Sequence, residues 1–387
     1  MNSNTSQKSL IEHKAIRSAR ANFGDEELEE IRDALDYGYC GLAYKGDEFE
    51  EGLKKYLGAK YVVATNTGTT ALHLSMDALG IKSGDEVIVP SLTFVGSFQA
   101  ISATGATPVA CDIEPETLNL DLEDVKRKTT EQTKAIMPVH YSGNSCDMDA
   151  LLKIKENSGI RIIEDAAHAF GSTYNGKKIG SFGDITCFSF GSLKNLTCGE
   201  GGAIVTDDQE FSDLLVKKRV LGMDRRRHSE KSFKERGGSF YKVAMQGFRY
   251  HLGNINAAIG LAQLKKVDSF IERRREICRK YDASLIDIPS VTPLPNDYSS
   301  VAPHIYVVRI LNDQRDALMN LFHSRNIETG VAFPPNHLHE FYKRSNCSLP
   351  ETEKAVKEIM SLPLHCGLSD PDVQFVIEAI REFFNKE

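Results

Sequence analysis

The chain has no C-x-x-C pair, no basic excess, no long unbroken apolar run, no internal repeat and no low-complexity segment. Each absence removes a class of function. The eight cysteines (Cys40, Cys111, Cys146, Cys187, Cys198, Cys278, Cys347, Cys366) are scattered, several of them inside apolar runs. They read as small core residues in a reducing compartment. A formal net charge of −7 offers no basic stripe to neutralise phosphates, so a nucleic-acid partner is not expected. Nowhere is there the run of roughly 18 apolar residues that a membrane helix takes, and the polar N-terminus has no apolar leader core. The expectation is a cytoplasmic protein with no membrane partner. No G-x-G-x-x-G follows the first strand, which sets aside a nicotinamide dehydrogenase.

What is present is an ordinary globular composition, 41% apolar and 26% charged. At ~150 residues per domain, the length favours two domains. Residues 1–20 read as a polar arm, 21–250 as a large domain and 251–387 as a smaller C-terminal α+β domain, in which a helix is expected over 351–360. In the large domain, short apolar strands (61–65, 85–90, 107–112, 135–140, 161–165, 185–190, 203–205) alternate with helices. That pattern predicts an α/β fold, a three-layer αβα arrangement around a mostly parallel sheet. Ligands of such sheets sit at the carboxyl ends of the strands. Thr67, Phe94, His140 and Asp165 fall there, and Lys194 lies just beyond.

Several of these residues carry chemistry, and each has a plainer reading. Lys194 stands between two apolar runs in Gly191-Ser192-Leu193-Lys194-Asn195, with a Gly-Glu-Gly-Gly turn following. It is either a solvated turn lysine or a buried amine whose lowered pKa suits a Schiff base. Thr69 and Thr70 open a helix straight after a strand. They either cap it or, with its free N–H groups and positive dipole end, help to hold a phosphate. Asp165 ends a buried strand and needs a metal or a cation, such as a protonated pyridine nitrogen. For a metal, Asp165 and His168 supply only two ligands in sequence. The basic cluster of Arg225, Arg226, Arg227, Lys231, Lys234 and Arg236 is a solvated loop or a platform for an anionic substrate. A lysine for an aldehyde, an aspartate for a ring nitrogen, a helix start for a phosphate and an aromatic for a ring face together describe a pyridoxal-phosphate site.

The stretches TNTGTTALHLSMDALGIKSGDEVIVPSLTF, GATPVACDIEPETLNLD, IIEDAAHAFGSTYNGKKIGSFGDITCFSF, SLKNLTCGEGGAIVT, NINAAIGLAQLK and SLPLHCGLSDPDV resemble the DegT/DnrJ/StrS sugar-nucleotide aminotransferases. These are fold-type-I pyridoxal-phosphate enzymes, and the likeness runs from about residue 20 to 380. It implies that Lys194 is the Schiff-base lysine and the proton carrier, and that Asp165 keeps the pyridine nitrogen protonated. It also places His168 beside the ring oxygen, Phe94 on the ring face, and Thr69, Thr70 and Ser189 at the phosphate. Two stretches depart from the family. Gly247-Phe248-Arg249-Tyr250-His251 stands where a family Asn reaches the phosphate of the neighbouring subunit in a homodimer, which makes Arg249 a phosphate candidate. Ala332-Phe333-Pro334-Pro335-Asn336-His337 replaces a lysine-containing stretch near the substrate.

The implied activity is transfer of the amino group of L-glutamate to a nucleotide-linked keto-deoxysugar by a ping-pong cycle, at the 4-keto carbon with the 3-keto carbon as the alternative. The product would enter O-antigen, glycan or antibiotic sugar synthesis. Two rivals are a dehydratase on the same fold, in which a His replaces the lysine, and a non-catalytic regulator. Lys194 counts against the first, and the intact Lys194–Asp165 pair against the second.

Overall fold

The computed structural model describes residues 15–180, 182–223, 242–331, 333–343 and 347–385. Most of the 1–20 arm, the basic cluster from Arg225 to Arg236 and Ala332 lie outside the described residues.

The central sheet follows from simple alternation. Its strands are β1 (Tyr61–Thr65), β2 (Glu86–Pro90), β3 (Thr107–Cys111), β4 (Thr133–Ile136), β5 (Arg161–Asp165), β8 (Ile185–Ser189) and β9 (Gly202–Thr206), in the order β1-β9-β8-β5-β4-β2-β3. A small hairpin of β6 (Thr173–Tyr174) and β7 (Lys177–Lys178) stands apart. Successive side chains on a strand point to opposite faces. Accordingly Val63, Val87, Val89, Ala135, Ile163, Cys187 and Ile204 join one core cluster. Their neighbours Val62, Ala64, Phe188, Ala203 and Val205 join a second, and Ile88, Ile136 and Ile162 a third. Both faces are thus apolar and need covering, and the helices cover them.

The helices are α1 (Asp25–Asp36), α2 (Tyr44–Leu57), α3 (Gly68–Ala78), α4 (Val95–Ala103), α5 (Leu122–Lys128), α6 (Met148–Ser158), α7 (Gln209–Lys218), α8 (Asn254–Leu285), α9 (Arg315–Ser324), α10 (Pro350–Glu358) and α11 (Asp370–Phe384). β9 is antiparallel to both of its neighbours, whereas the other strands run in one direction. The carboxyl ends of those strands and the first residue of β9 therefore share one edge. Among the described residues, no helix is long and apolar enough to cross a membrane.

A second, antiparallel sheet of β10 (Val291–Pro293), β11 (Tyr306–Ile310) and β12 (Ile359–Leu362) packs with α9, α11 and the end of α8. The predicted helix over 351–360 stops at Glu358, and Ile359 and Met360 join β12 instead. Pairing of Ile359–Leu362 with β11 outweighs the local helical pattern there. The strand expected to run to His140 ends at Ile136, since Pro138 lacks the N–H that a ladder requires. One continuous helix, α8, serves both cores: Ala257, Val267 and Ile271 pack on the large sheet, and Ile277, Tyr281 and Leu285 on the small one.

The edge is closely packed where α3 meets the sheet. Gly202 lies opposite both Thr65 and Ser189, with the Thr67 carbonyl pressed against its α-carbon. A methyl group there has no room and the neighbour is rigid backbone, so Gly202→Ala should cost about 1–3 kcal/mol. Urea denaturation of the purified variant measures this, and unchanged stability would contradict the close packing described.

Candidate active site

Each candidate side chain arrives on that edge for a local reason. Thr67 caps α3: its hydroxyl accepts the Thr70 N–H at 3.0 Å, and the Thr70 hydroxyl in return accepts the Thr67 N–H at 3.1 Å. The Thr70 hydroxyl also meets Asn66 Oδ1 at 2.7 Å, so it is committed to the cap. The Thr69 hydroxyl has no hydrogen-bond partner among the described residues, and it lies beside the α-carbon of Gly96, next to the Phe94 ring. A Cβ built on Gly68 would stand 2.6 Å from Ser189 Cβ and 3.0 Å from its Oγ. The helix start, its unclaimed first N–H groups and the Ser189 hydroxyl thus form a cradle of anion-binding character.

Lys194 belongs to the long connection between β8 and β9. Phe190 and Gly201 close its base with an N–H···O bond of 2.8 Å, and Leu196 and Cys198 bury themselves as anchors. Asn195 donates to the Ala302 carbonyl at 3.2 Å, and Lys194 Nζ lies 3.3 Å from His304 Nε2. Burial pushes the Lys194 ammonium down to about 8, with the nearby Asp165 charge opposing it. The solvated-turn reading is therefore not what the fold supports. The amine sits in a desolvated setting, although the residue as a whole is partly exposed.

Asp165 ends β5 and is buried. Its Oδ2 accepts the Ser97 hydroxyl at 2.7 Å and its Oδ1 the Ala167 N–H at 3.1 Å. Among the described residues no cation forms an ion pair with it, so two neutral donors hold a buried carboxylate in place for a positive group. His168 follows on the same turn. Burial first, and the Lys194 charge second, hold it well below the ordinary histidine range, so it is a neutral imidazole. Its Nδ1 is buried with no partner. Phe94 stands at the start of α4 and is 57% exposed, a large apolar residue left uncovered at the mouth of the site. Arg249 is exposed. Its backbone bridges to Val220, and its side chain joins none of the site residues within this chain.

Two residues that sequence reasoning missed, Ser97 and His304, complete the group together with Phe333, from the stretch that stands where the family has a segment near the substrate. Ser97 lies one turn into α4 from Phe94, a spacing that could have drawn notice. His304 is 110 positions from Lys194 and carries no local signal. Phe333 lies 5.9 Å from Phe94 and 5.6 Å from His168, nearly parallel to the latter. Its φ of +65° is a left-handed backbone that a bulky residue adopts only where its surroundings hold it. Glu164 and His140, one residue before Asp165 and at the adjoining strand end, are fully buried 3.0 Å apart. Glu164 also accepts from Gly183 N and the Thr186 hydroxyl, so this pair is satisfied internally and supports the site without facing it.

The residues together fit one kind of ligand: a flat aromatic ring carrying a protonated nitrogen toward Asp165, a hydroxyl toward the orphaned His168 Nδ1, a phosphate in the cradle and a carbonyl at Lys194. Among the described residues no three His, Cys, Asp or Glu side chains are grouped to hold a metal ion. Because the free amine is the nucleophile, acylation of Lys194 in the cofactor-free protein should rise with pH through about 8. Exposed lysines should follow the usual ~10.4. Peptide mass spectrometry after labelling at several pH values tests this, and a Lys194 curve matching that of exposed lysines would refute the buried setting.

The comparisons with known proteins bear on the family and its cofactor. The model of the DegT/DnrJ/EryC1/StrS aminotransferase family matches residues 22–381. The chain is 39% identical over 371 residues to the spore coat polysaccharide biosynthesis protein SpsC of Bacillus subtilis, covering 93% of this chain and 94% of that one. In structure it is similar to PseC of Helicobacter pylori, an aminotransferase involved in pseudoaminic acid biosynthesis, with a TM-score of 0.89 at 26% identity, covering 97% and 100% of the two chains. It is similar also to Spr1654 of Streptococcus pneumoniae in its pyridoxal-phosphate form, with a TM-score of 0.89 at 29% identity and coverage of 96% and 99%. The match across residues 22–381 places the chain in the DegT/DnrJ/EryC1/StrS aminotransferase family, and it is, like that family, a pyridoxal-phosphate-dependent aminotransferase.

Proposed function

We infer that the chain moves the amino group of L-glutamate to a keto carbon of a nucleotide-linked deoxysugar, the 4-keto carbon in the first instance. The observation that carries the chemistry is the desolvated Lys194 amine near a buried Asp165 carboxylate that no cation among the described residues pairs with. Support for the sugar comes from the relatives: SpsC belongs to polysaccharide synthesis, and PseC to that of pseudoaminic acid. The product would feed a polysaccharide or glycoconjugate. The eight free cysteines suit work in the reducing cytoplasm.

When bound, pyridoxal phosphate supplies an aldehyde that accepts the amino group and a ring that absorbs the electrons left at the donor's α-carbon. The chain's own residues do the rest. Asp165, held by Ser97 and Ala167, keeps a proton on the ring nitrogen, because an adjacent anion raises that nitrogen's basicity. His168 would hold the ring oxygen through Nδ1, and Phe94 would lie against one ring face. The α3 start, with the Thr69 and Ser189 hydroxyls, would hold the phosphate, and the Thr70 cap fixes the position of that start. Lys194 Nζ carries the proton at the donor's α-carbon, and later at the carbon that receives nitrogen. The two half-reactions share one site, which gives ping-pong kinetics.

A homodimer completes this picture. Phe94, Leu193 and Phe341 are exposed apolar residues, as are Phe23, Leu28, Tyr37 and Tyr39. In such a dimer Arg249 would bring a cation to the phosphate of the neighbouring site.

Lys194→Ala should abolish transamination and the visible absorption of the lysine-linked cofactor, and wild-type turnover by this variant would remove Lys194 from the mechanism. Asp165→Ala should weaken cofactor retention and lower kcat by about 10²- to 10⁴-fold. Glutamate assayed against a panel of nucleotide-linked 3-keto and 4-keto sugars identifies the acceptor. No turnover with any of them would reject the sugar reading while leaving the cofactor chemistry intact.

A further inference from the structure

The segment Ala302–Ile305 passes beneath Lys194 and is fastened with unusual density. Asn195, the residue after Lys194, donates to the Ala302 carbonyl at 3.2 Å, and the Ala302 N–H reaches the Ser172 hydroxyl at 2.9 Å. The His304 N–H goes to the Ser142 carbonyl at 3.0 Å, and the His304 carbonyl accepts Arg274 at 3.1 Å. The Ser142 hydroxyl in turn holds the Ile305 carbonyl at 2.6 Å. Gly143, at φ +102°, is glycine because the Ala302 carbonyl occupies the space of a side chain. The result of all this is one placement: the His304 ring lies 4.4 Å from the His168 ring, with Nε2 facing Lys194 Nζ at 3.3 Å.

We propose that His304 is a positioning residue for Lys194: its Nε2 lone pair takes an N–H of the lysine amine and so sets the direction in which the amine can act. The inference rests on Lys194 being the reactive lysine. The charged and titratable groups facing the pair are Asp165 from the end of β5, His168 from the turn after it, and Arg274 from α8 behind the His304 carbonyl. Burial first, and then the positive charge of Lys194, hold His304 well below the usual imidazole range, so its lone pair stays available. An acceptor at that nitrogen favours the ammonium form of Lys194, partly offsetting burial. The lysine is thereby kept aimed without being starved of protons.

The test uses the full-length protein with His304→Phe, which keeps a flat ring but no acceptor, and His304→Gln, whose side-chain oxygen reaches the same place. In the cofactor-free protein, the pH midpoint for acylation of Lys194 should fall by about one unit in His304→Phe and stay near wild type in His304→Gln. In the holoenzyme, kcat should drop about 10- to 100-fold in His304→Phe with little change in the donor's KM, and the acid limb of the kcat profile should move to lower pH. His304→Gln should recover most of both. A labelling midpoint that is unmoved or raised in His304→Phe, or an equal loss of kcat in the two variants, overturns the proposal. Failure of the underlying reading would show separately, as activity retained by Lys194→Ala, since the labelling readout needs no cofactor.

Discussion

The structure depends on keeping one amine out of water. A lysine on a surface turn is an ammonium with no chemistry to offer at neutral pH, and moving it under protein atoms is costly unless its surroundings make up part of the loss. The connection between β8 and β9 meets that cost by geometry. Its base is closed by Phe190 and Gly201, its flank is nailed by Leu196 and Cys198, and its tip is tied across the molecule through Asn195. Asp165 supplies a nearby negative charge that tempers the fall in Lys194's basicity without cancelling it.

The carboxylate poses the mirror problem. Asp165 is buried with two neutral donors, Ser97 and the Ala167 N–H, and no cation among the described residues pairs with it, so the fold holds a negative charge ready for a positive group of a ligand. Glu164, one residue earlier on β5, points to the other side of the strand and is fully answered by His140, Thr186 and Gly183. Two consecutive carboxylates on one strand thus have opposite fates, one spent on structure and one kept for a ligand. The alternation of the strand separates them.

Much of this was legible in the chain itself. The alternation of apolar strands and helices implied the covered sheet, because period-2 runs with both faces apolar must be buried on both sides. Lys194, Asp165, Phe94 and the α3 start could be found because each sits at a strand end, a position that sequence marks with a change in pattern. Thr70 shows where this reading thins: a hydroxyl at a helix start serves the cap or the ligand, and only geometry shows that this one is committed to Asn66 and Thr67. His304 was out of reach, since long-range folding brings it to the site and nothing near it in sequence points to Lys194. The strand at 359–362 was missed for a related reason, its state being decided by β11 across the sheet rather than by its own residues.

The helix α8 carries a mechanical consequence. At 32 residues and 1.5 Å per residue it is about 48 Å long, a single rod whose first half lies on the large sheet and whose second half supports the small one. Arg274, near its middle, grips the His304 and Leu364 carbonyls together. That guanidinium therefore ties the chain just after β12, at Leu364, to the very residue whose imidazole faces Lys194. The core around Ile277 and Tyr281, within two turns further along the rod, packs directly behind the same contact.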